Sequence, residues 1–351
     1  MKVGLDISPL TTSHQVRGIG FYTQRLRDSL LKLAEKKKDF GLVEIDTSQK
    51  KKVEIIHYPY FSPFFRTLPL IKFTKTIVTV HDLIPLKFPD QFPPGRKGKW
   101  RWFWQRLSLK TAKAIITDSH ASKKDIIKFA DIRPKKIFTI YLAADSGFKV
   151  IGNRRYLECM QKRYHLSSKF VLYVGDLNWN KNVMMLARAC VQLKYPLVIV
   201  GKQSLTTDYD KEHIENQEIV KFQKYAQKYH KHILRLGFVP TEDLAGIYNL
   251  ATCYAQPSIA EGFGLPVLEA MASGCPVIIS EKTSLSEITG KAALFIDPKE
   301  EKTLIKSLKI FWEKSGVRRR YITLGLNKVK RFSWEKTALE TYKVYQKVYK
   351  S

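Results

Sequence analysis

The sequence predicts an α/β protein built from two doubly wound, Rossmann-like domains. Three observations carry that prediction. Short apolar runs alternate with helical patterns along the chain, which implies parallel sheets covered on both faces. The alternation runs its course once, passes a polar, basic stretch around 145–168, and starts again. The 351 residues, 44% of them hydrophobic, supply enough chain for two domains with a core each. Two such sheets are expected to face each other across a cleft, with ligands beyond the carboxyl ends of the strands.

The first half opens on KVGLDI (2–7), an apolar strand in a start too short and too polar for a signal peptide. GIGFYTQRLRDSLLKLAEKKK (18–38) follows as a helix, because Phe21, Leu26, Leu30 and Leu33 recur with a helical period. VEIIHYP (53–59), TIVTVHD (76–82) and AKAIITDS (112–119) read as buried strands, SKKDIIKFA (122–130) as a helix and KIFTIYLA (136–143) as a further strand. The second half repeats the scheme. KFVLYVGDL (169–177) is a strand, NVMMLARACVQL (182–193) a helix and PLVIVGK (196–202) a strand. ILRLGFV (233–239), TCYAQPS (252–258) and CPVIIS (275–280) are strands with helices between them, and SWEKTALETYKVYQKVYK (333–350) is an amphipathic closing helix. The expected bounds are 1–160, 161–332 and, for the last helix, 333–351.

Composition narrows the function. No apolar run approaches the roughly 20 residues that span a bilayer. Cys159, Cys190, Cys253 and Cys275 are scattered without paired spacing, so they are expected reduced in a cytosolic protein, with no metal site. The net charge of +29 suits a polyanionic partner: nucleic acid, acidic lipid or a phosphorylated ligand. Lysine used as general surface filler is the alternative, since Lys occurs in nearly every segment.

EGFGLPVLE (261–269) is the most informative short stretch. In one continuous helix its two acids would stand about 80° apart and share no clean stripe. Two glycines and Pro266 argue for a loop carrying Glu261, then a helix beginning near Pro266 with Glu269 in its first turn. Gly262 and Gly264 let a ligand approach the backbone, and the helix start offers unpaired N–H groups to an anion such as a diphosphate. The two carboxylates would accept from hydroxyl groups. A nucleotide sugar has all these parts. The competing reading is that Glu269 favours the helix start and the glycines turn the chain.

The wider stretch QPSIAEGFGLPVLEAMASGCPVIIS (256–280) closely resembles the donor-site signature of glycosyltransferase family 4, retaining enzymes of the group 1 type with the two-domain GT-B fold. RGIGFYTQRL (17–26), TVHDLIP (79–85), DSHASKKDI (118–126), YVGDLNWNKNV (173–183), LGFVPTEDLAGIY (236–248) and SEITGKAALFIDP (286–298) fall in the family's order, so the resemblance spans nearly the whole chain. It implies that Glu269 binds the ribose and Glu261 the donor sugar hydroxyls. Backbone N–H groups along Gly262, Phe263, Gly264 and Leu265 would face sugar and diphosphate. Lys181 matches the family's phosphate-binding lysine and would neutralise the leaving diphosphate. Arg17, Gly18 and Gly20 would approach the reacting phosphates. His81 would lie near the reaction centre, with Asp82 orienting it or capping a loop. Gly237, Phe238 and Val239 would line the base pocket. One departure stands out: where many members carry Arg after the strand's last glycine, this chain has Asp176, leaving Arg17 or Lys202 to compensate. The resemblance further implies metal-independent transfer with retention of configuration, no cofactor beyond the nucleotide-diphosphate sugar, and a last helix that crosses back to the N-terminal domain.

GRKGKWRWFWQRLSLK (95–110) interleaves aromatic and basic residues. On a helix, Trp100, Phe103, Trp104 and Leu107 share one face. The expectation is that this face packs as core while Trp102, with Lys99 and Arg101, is exposed and touches an anionic membrane surface. The overall reading is a cytoplasmic, peripherally membrane-associated transferase that moves a hexose, with mannose as the mild guess, onto a glycan or lipid-linked glycan for cell-envelope polysaccharide. The rivals are a nucleotide-sugar epimerase of the same fold and, from charge alone, a nucleic-acid-binding protein.

Overall fold

The computed structural model describes residues 1–12, 18–46 and 52–351. The chain divides into two compact units, Met1–Ala143 with Phe332–Ser351, and Ala144–Arg331. Residues 144–160, assigned from the sequence to the first domain, lie in the second unit. The Asn249 side chain fixes them there, donating to the Lys149 carbonyl at 2.9 Å and accepting from the Ile151 N–H at 2.8 Å.

The first unit holds a six-stranded parallel sheet of order β2-β1-β3-β4-β5-β6. Its strands are β1 (Lys2–Asp6), β2 (Gly41–Ile45), β3 (Ile55–Tyr58), β4 (Lys75–Thr79), β5 (Ala114–Thr117) and β6 (Ile137–Thr139). The second unit repeats the plan with β7 (Val171–Val174), β8 (Leu197–Val200), β9 (Ile233–Gly237), β10 (Cys253–Gln256), β11 (Val277–Ser280) and β12 (Ala293–Ile296). Its order is β12-β11-β10-β7-β8-β9, again wholly parallel. Such strands are buried on both faces, which is why VLYV, LVIV and VIIS read as unbroken apolar runs. The order reverses between β1 and β3 in one sheet and between β7 and β10 in the other. A crevice opens beyond the strand ends at such a point.

Helix α1 (Gly18–Lys36) follows β1 and buries Tyr22, Leu26 and Leu30. Gly18 and Gly20 stand in its first turn, as the helical reading of 18–38 expected. Helix α2 (Gly95–Thr111) also lies in the first unit. The second unit contains α3 (Val183–Leu193), α4 (Thr241–Leu250), α5 (Leu265–Ala272) and α6 (Ser284–Thr289). Helix α7 (Trp334–Lys350) belongs to the first unit: the Ser333 hydroxyl caps it by accepting from Lys336 N–H, and Thr337 donates to the Tyr141 carbonyl at 2.7 Å. Its Tyr345 hydroxyl meets His57 Nδ1 at 2.7 Å inside the core. Burial holds the His57 imidazole down to about 3, so the core carries no charge there.

Helix α2 turns the expected way round on its head. The buried positions are Gly98, Gln105, Ser108 and Leu109, and Trp102 packs beside them against the sheet cluster of Val78, Val80 and Ile115. Trp100, Phe103, Trp104 and Leu107 are exposed. Trp102 is therefore corrected from a surface contact to a packed residue. The reason is geometric: two residues turn a helix by about 200°, so whichever of Trp100 and Trp102 faces the sheet, the other faces away. Gly98 decides the matter, because a Cβ there would come within 2.9 Å of Pro94 and 3.7 Å of the Phe64 ring. This orientation predicts that Trp102→Ala lowers stability by about 2 kcal/mol, whereas Trp100→Ala stays within about 0.5 kcal/mol of wild type. Urea unfolding of the two variants measures the difference.

Candidate active site

The reversal point of the second sheet carries a buried carboxylate. Beyond β10 the chain runs through Pro257 and Ser258 to Glu261, whose side chain is 5% exposed. Glu261 Oε1 accepts from Lys181 Nζ at 2.9 Å, Ser258 Oγ at 2.7 Å and Gln256 Nε2 at 2.5 Å; Oε2 accepts from the same Nζ at 2.8 Å. Lys181, 23% exposed, comes from the turn that leads from β7 into α3. Two hydrogen bonds join that turn to the β10 loop: Ile259 N–H donates to Asn180 O at 2.7 Å, and the Asn180 side-chain Nδ2 donates to Ala260 O at 3.0 Å. Asn182 holds φ +54° and ties the same turn to Pro257 O and Pro298 O. A carboxylate taken out of water needs this many donors to stay ionised.

Gln256 is itself oriented. The Tyr254 hydroxyl donates to its Oε1 at 2.7 Å. Tyr254 is wholly buried, and its hydroxyl is pushed well up by burial first, then by Tyr173 and by the charges of Glu261 and Glu269. Both acids therefore act on one tyrosine.

Glu269 is the fifth residue of α5, in its second turn and not, as expected, in its first. The helix starts one residue earlier than Pro266 because Gly264 caps it at φ +114°, where any Cβ would lie 2.3 Å from Leu285 Cδ2. Ser284 Oγ, at the start of α6, bonds the carbonyls of Glu261 (2.9 Å) and Phe263 (3.1 Å) and so fixes the glycine loop. Gly262, Phe263 and Gly264 are buried and Leu265 is partly buried. Glu269 Oε2 accepts from the Tyr248 hydroxyl of α4 at 3.2 Å. Burial, with the charge of Asp145, pushes the Glu269 carboxyl up to about 7 against the opposing pull of that hydrogen bond.

Two glycines shape the neighbouring strand ends. A Cβ on Gly201 would stand 2.2 Å from the Gly175 carbonyl, so the loops after β7 and β8 touch through their backbones. Lys202 follows Gly201 on this shared edge and is exposed. Gly237 has φ +66°, Val239 is buried and Phe238 projects into solvent.

In the first unit, His81 follows β4. Its Nδ1 lies 2.5 Å from Asp118 Oδ2 and its Nε2 3.2 Å from the Pro59 carbonyl. Both partners are acceptors, so both ring nitrogens are called on to donate. Burial opposes that charge, but the Asp118 carboxylate, with Asp82 and the Pro59 carbonyl, outweighs it and raises the imidazole above its ordinary value. The edge of Tyr22 stands 4.7 Å from the ring. Asp82 instead accepts from Ile84 N–H at 3.0 Å, a turn cap, so the orienting acid is Asp118. Arg17 lies outside the described residues.

The structure thus joins Glu261 to Lys181 and, through Gln256, to Tyr254, while Glu269 is bonded by Tyr248. Sequence reasoning missed Gln256, Ser258, Asn180, Tyr248 and Asp118. The first two stand inside the quoted motif, five and three residues before Glu261, and that spacing was the available signal.

Residues 160–327 match the family described as glycosyl transferases group 1, and residues 37–147 match the one described as glycosyltransferase family 4. The O-antigen chain mannosyltransferase B of Escherichia coli is 30% identical over 297 residues, which cover 82% of this chain and 74% of that protein. The chain belongs to the group 1 glycosyltransferases. The serotype-specific mannosyltransferase WbdA of Escherichia coli is 25% identical over 274 residues, 75% of this chain but only 32% of that longer protein. Among solved structures, Anabaena HepE in complex with UDP-glucose superposes with a TM-score of 0.75 at 15% identity, covering 99% of this chain and 100% of that one. The two sheets are accordingly those of a GT-B glycosyltransferase, and the fold class read from the sequence stands. In this group 1 glycosyltransferase, the matched segment 160–327 contains Lys181, Glu261 and Glu269.

The Glu269 carboxyl yields a signed expectation. Its folded-state value lies above its unfolded one, so its stabilisation is complete when protonated and is lost as pH rises through about 7. Glu269→Gln, which mimics the protonated form, should melt a few degrees above wild type at pH 8, with the gap closing by pH 5. Calorimetry across that range measures it.

Proposed function

We propose that the chain is a retaining, metal-independent hexosyltransferase. It moves mannose from a nucleotide-diphosphate sugar, GDP-mannose in the first instance, to a glycan or lipid-linked glycan acceptor of cell-envelope polysaccharide. The observation that carries this reading is the Glu261–Lys181 pair at the β7/β10 reversal, with Glu269 on the next helix, in a chain of this family. The names of the similar proteins, O-antigen chain mannosyltransferase B and RfbU, support mannose and the polysaccharide setting.

The residues divide the work. Glu269 takes the ribose hydroxyls and Glu261 the hexose hydroxyls, each as a hydrogen-bond acceptor. Lys181, held in place by Glu261, meets the charge that grows on the departing diphosphate. The N–H groups at the start of α5, behind Gly264, add a second positive pole. The loop at Gly237, Phe238 and Val239 receives the base, and Lys202 offers the cation that Asp176 cannot. His81, oriented by Asp118, serves the transfer step, and Arg17, Gly18 and Gly20 serve the phosphates. Among the described residues no group of three His, Cys, Asp or Glu side chains is placed to hold a metal ion. No described helix is long and apolar enough to cross a membrane, and attachment is proposed to be peripheral.

Incubation with GDP-mannose and a lipid-linked oligosaccharide should give a mannosylated product whose new linkage keeps the donor's anomeric configuration by proton NMR, with the rate unchanged by EDTA. Lys181→Ala should lower kcat about a hundredfold. Inversion, or an epimerised nucleotide sugar formed without acceptor, would contradict the reading.

A further inference from the structure

The loop at 64–73 and helix α2 lie side by side, and the interface between them is built inside out. Gln105 is buried, and its amide oxygen accepts from Thr67 N–H, Thr67 Oγ1 and Leu68 N–H at 3.0–3.1 Å while its nitrogen donates to Leu68 O. Lys72 reaches inward and donates to Ser108 O at 2.6 Å, Ser108 Oγ at 2.7 Å and Thr111 Oγ1 at 2.8 Å. Polar groups hold the two segments together, while Leu68, Trp102 and Leu109 pack inward and several other apolar side chains are left outside. Phe73 is 95% exposed, Ile71 71% and Trp100 54%; Phe65, Phe103 and Leu107 are exposed beside them. The clamp forces this outcome, because drawing Lys72 in places its neighbours Ile71 and Phe73 outward.

The same surface is basic. Residues 60–75 and 95–113 contain Lys and Arg but no Asp or Glu. Arg66 lies 5.7 Å over the Trp100 ring and Arg101 5.9 Å over the Phe65 ring, so cations sit among the exposed aromatics.

We infer that this face is a docking surface for an anionic phospholipid bilayer, with Phe65, Ile71, Phe73 and Trp100 entering the headgroup–acyl boundary and Arg66, Lys97 and Lys99 meeting the lipid phosphates. Exposed Phe and Trp side chains interleaved with Lys and Arg suit the membrane interface. A second copy of the chain would press two purely basic surfaces together, which charge opposes. A nucleic acid would stack on the aromatics but gain nothing from Ile71 and Leu107. The face deepens the reading of a transferase with a lipid-linked acceptor, yet its test reads binding alone.

The experiment is flotation of the full chain with phosphatidylcholine vesicles, pure or mixed with phosphatidylglycerol. Wild type should float with the mixed vesicles and much less with the pure ones. Phe73→Ser with Trp100→Ser should weaken binding to the mixed vesicles about tenfold or more, and Arg66→Glu with Lys99→Glu likewise. Phe295→Ser, an exposed phenylalanine on β12, should have no effect. Melting temperatures equal to wild type show that the variants fold. Equal flotation with both vesicle types, or flotation indifferent to both double variants, overturns the inference. So does a loss of self-association by light scattering in the apolar variant without a change in flotation, which would assign the face to a second copy. Normal flotation without sugar transfer would sink the transferase reading and leave this surface standing.

Discussion

A carboxylate that is almost wholly shut away from water must be surrounded by donors or lose its charge. Glu261 meets that demand with Lys181, Ser258 and Gln256, and much of the second unit's upper edge follows from it. The lysine must come from the turn after β7, so that turn is bound to the β10 loop through Asn180 and Asn182. Gln256 must point its amide nitrogen at the acid, so Tyr254 takes the amide oxygen. The glycine loop that follows is held by Ser284 from another helix. A side chain whose charge is expensive to bury thereby fixes four loops around one point.

The two acids of the motif live in different surroundings, and the difference suits different tasks. Glu261 faces a cation, a hydroxyl donor and an amide donor. Glu269 accepts from one tyrosine hydroxyl, and burial pushes its carboxyl up to about 7. The first is an anchored acceptor that also aims a lysine. The second is ionised only near neutrality and above, where it can accept from a diol. A similar contrast divides the two histidines of the first sheet: His57, between hydroxyls, is held neutral, while His81, against a carboxylate, is drawn toward its cation.

The alternation of strands and helices was legible because parallel strands buried on both faces leave unbroken apolar runs. It failed at β2 and β12, which are edge strands with partly covered side chains. It failed again at α2, where the aromatic stripe marks the outer face and a glycine, a glutamine and a serine mark the inner one. Hydrophobic periodicity reports which face is apolar, and only the contacts of Gly98 and Gln105 tell which face is inside. In the site, residue types and spacing revealed Glu261, Glu269 and Lys181. They did not reveal that the lysine and the first acid are a pair, because 80 residues separate them. Asp118 was hidden for the same reason, since Asp82 is adjacent to His81 in sequence and Asp118 is adjacent in space.

If Glu261 and Lys181 act as one unit on the donor, their contributions to donor binding cannot be independent. Titration calorimetry of GDP-mannose with Lys181→Met, Glu261→Gln and the double variant measures this directly. The account predicts that each single change weakens binding and that the double change costs less than the two together, with a coupling of about 1.5 kcal/mol or more. Losses that simply add, or single variants that bind as tightly as wild type, would contradict it.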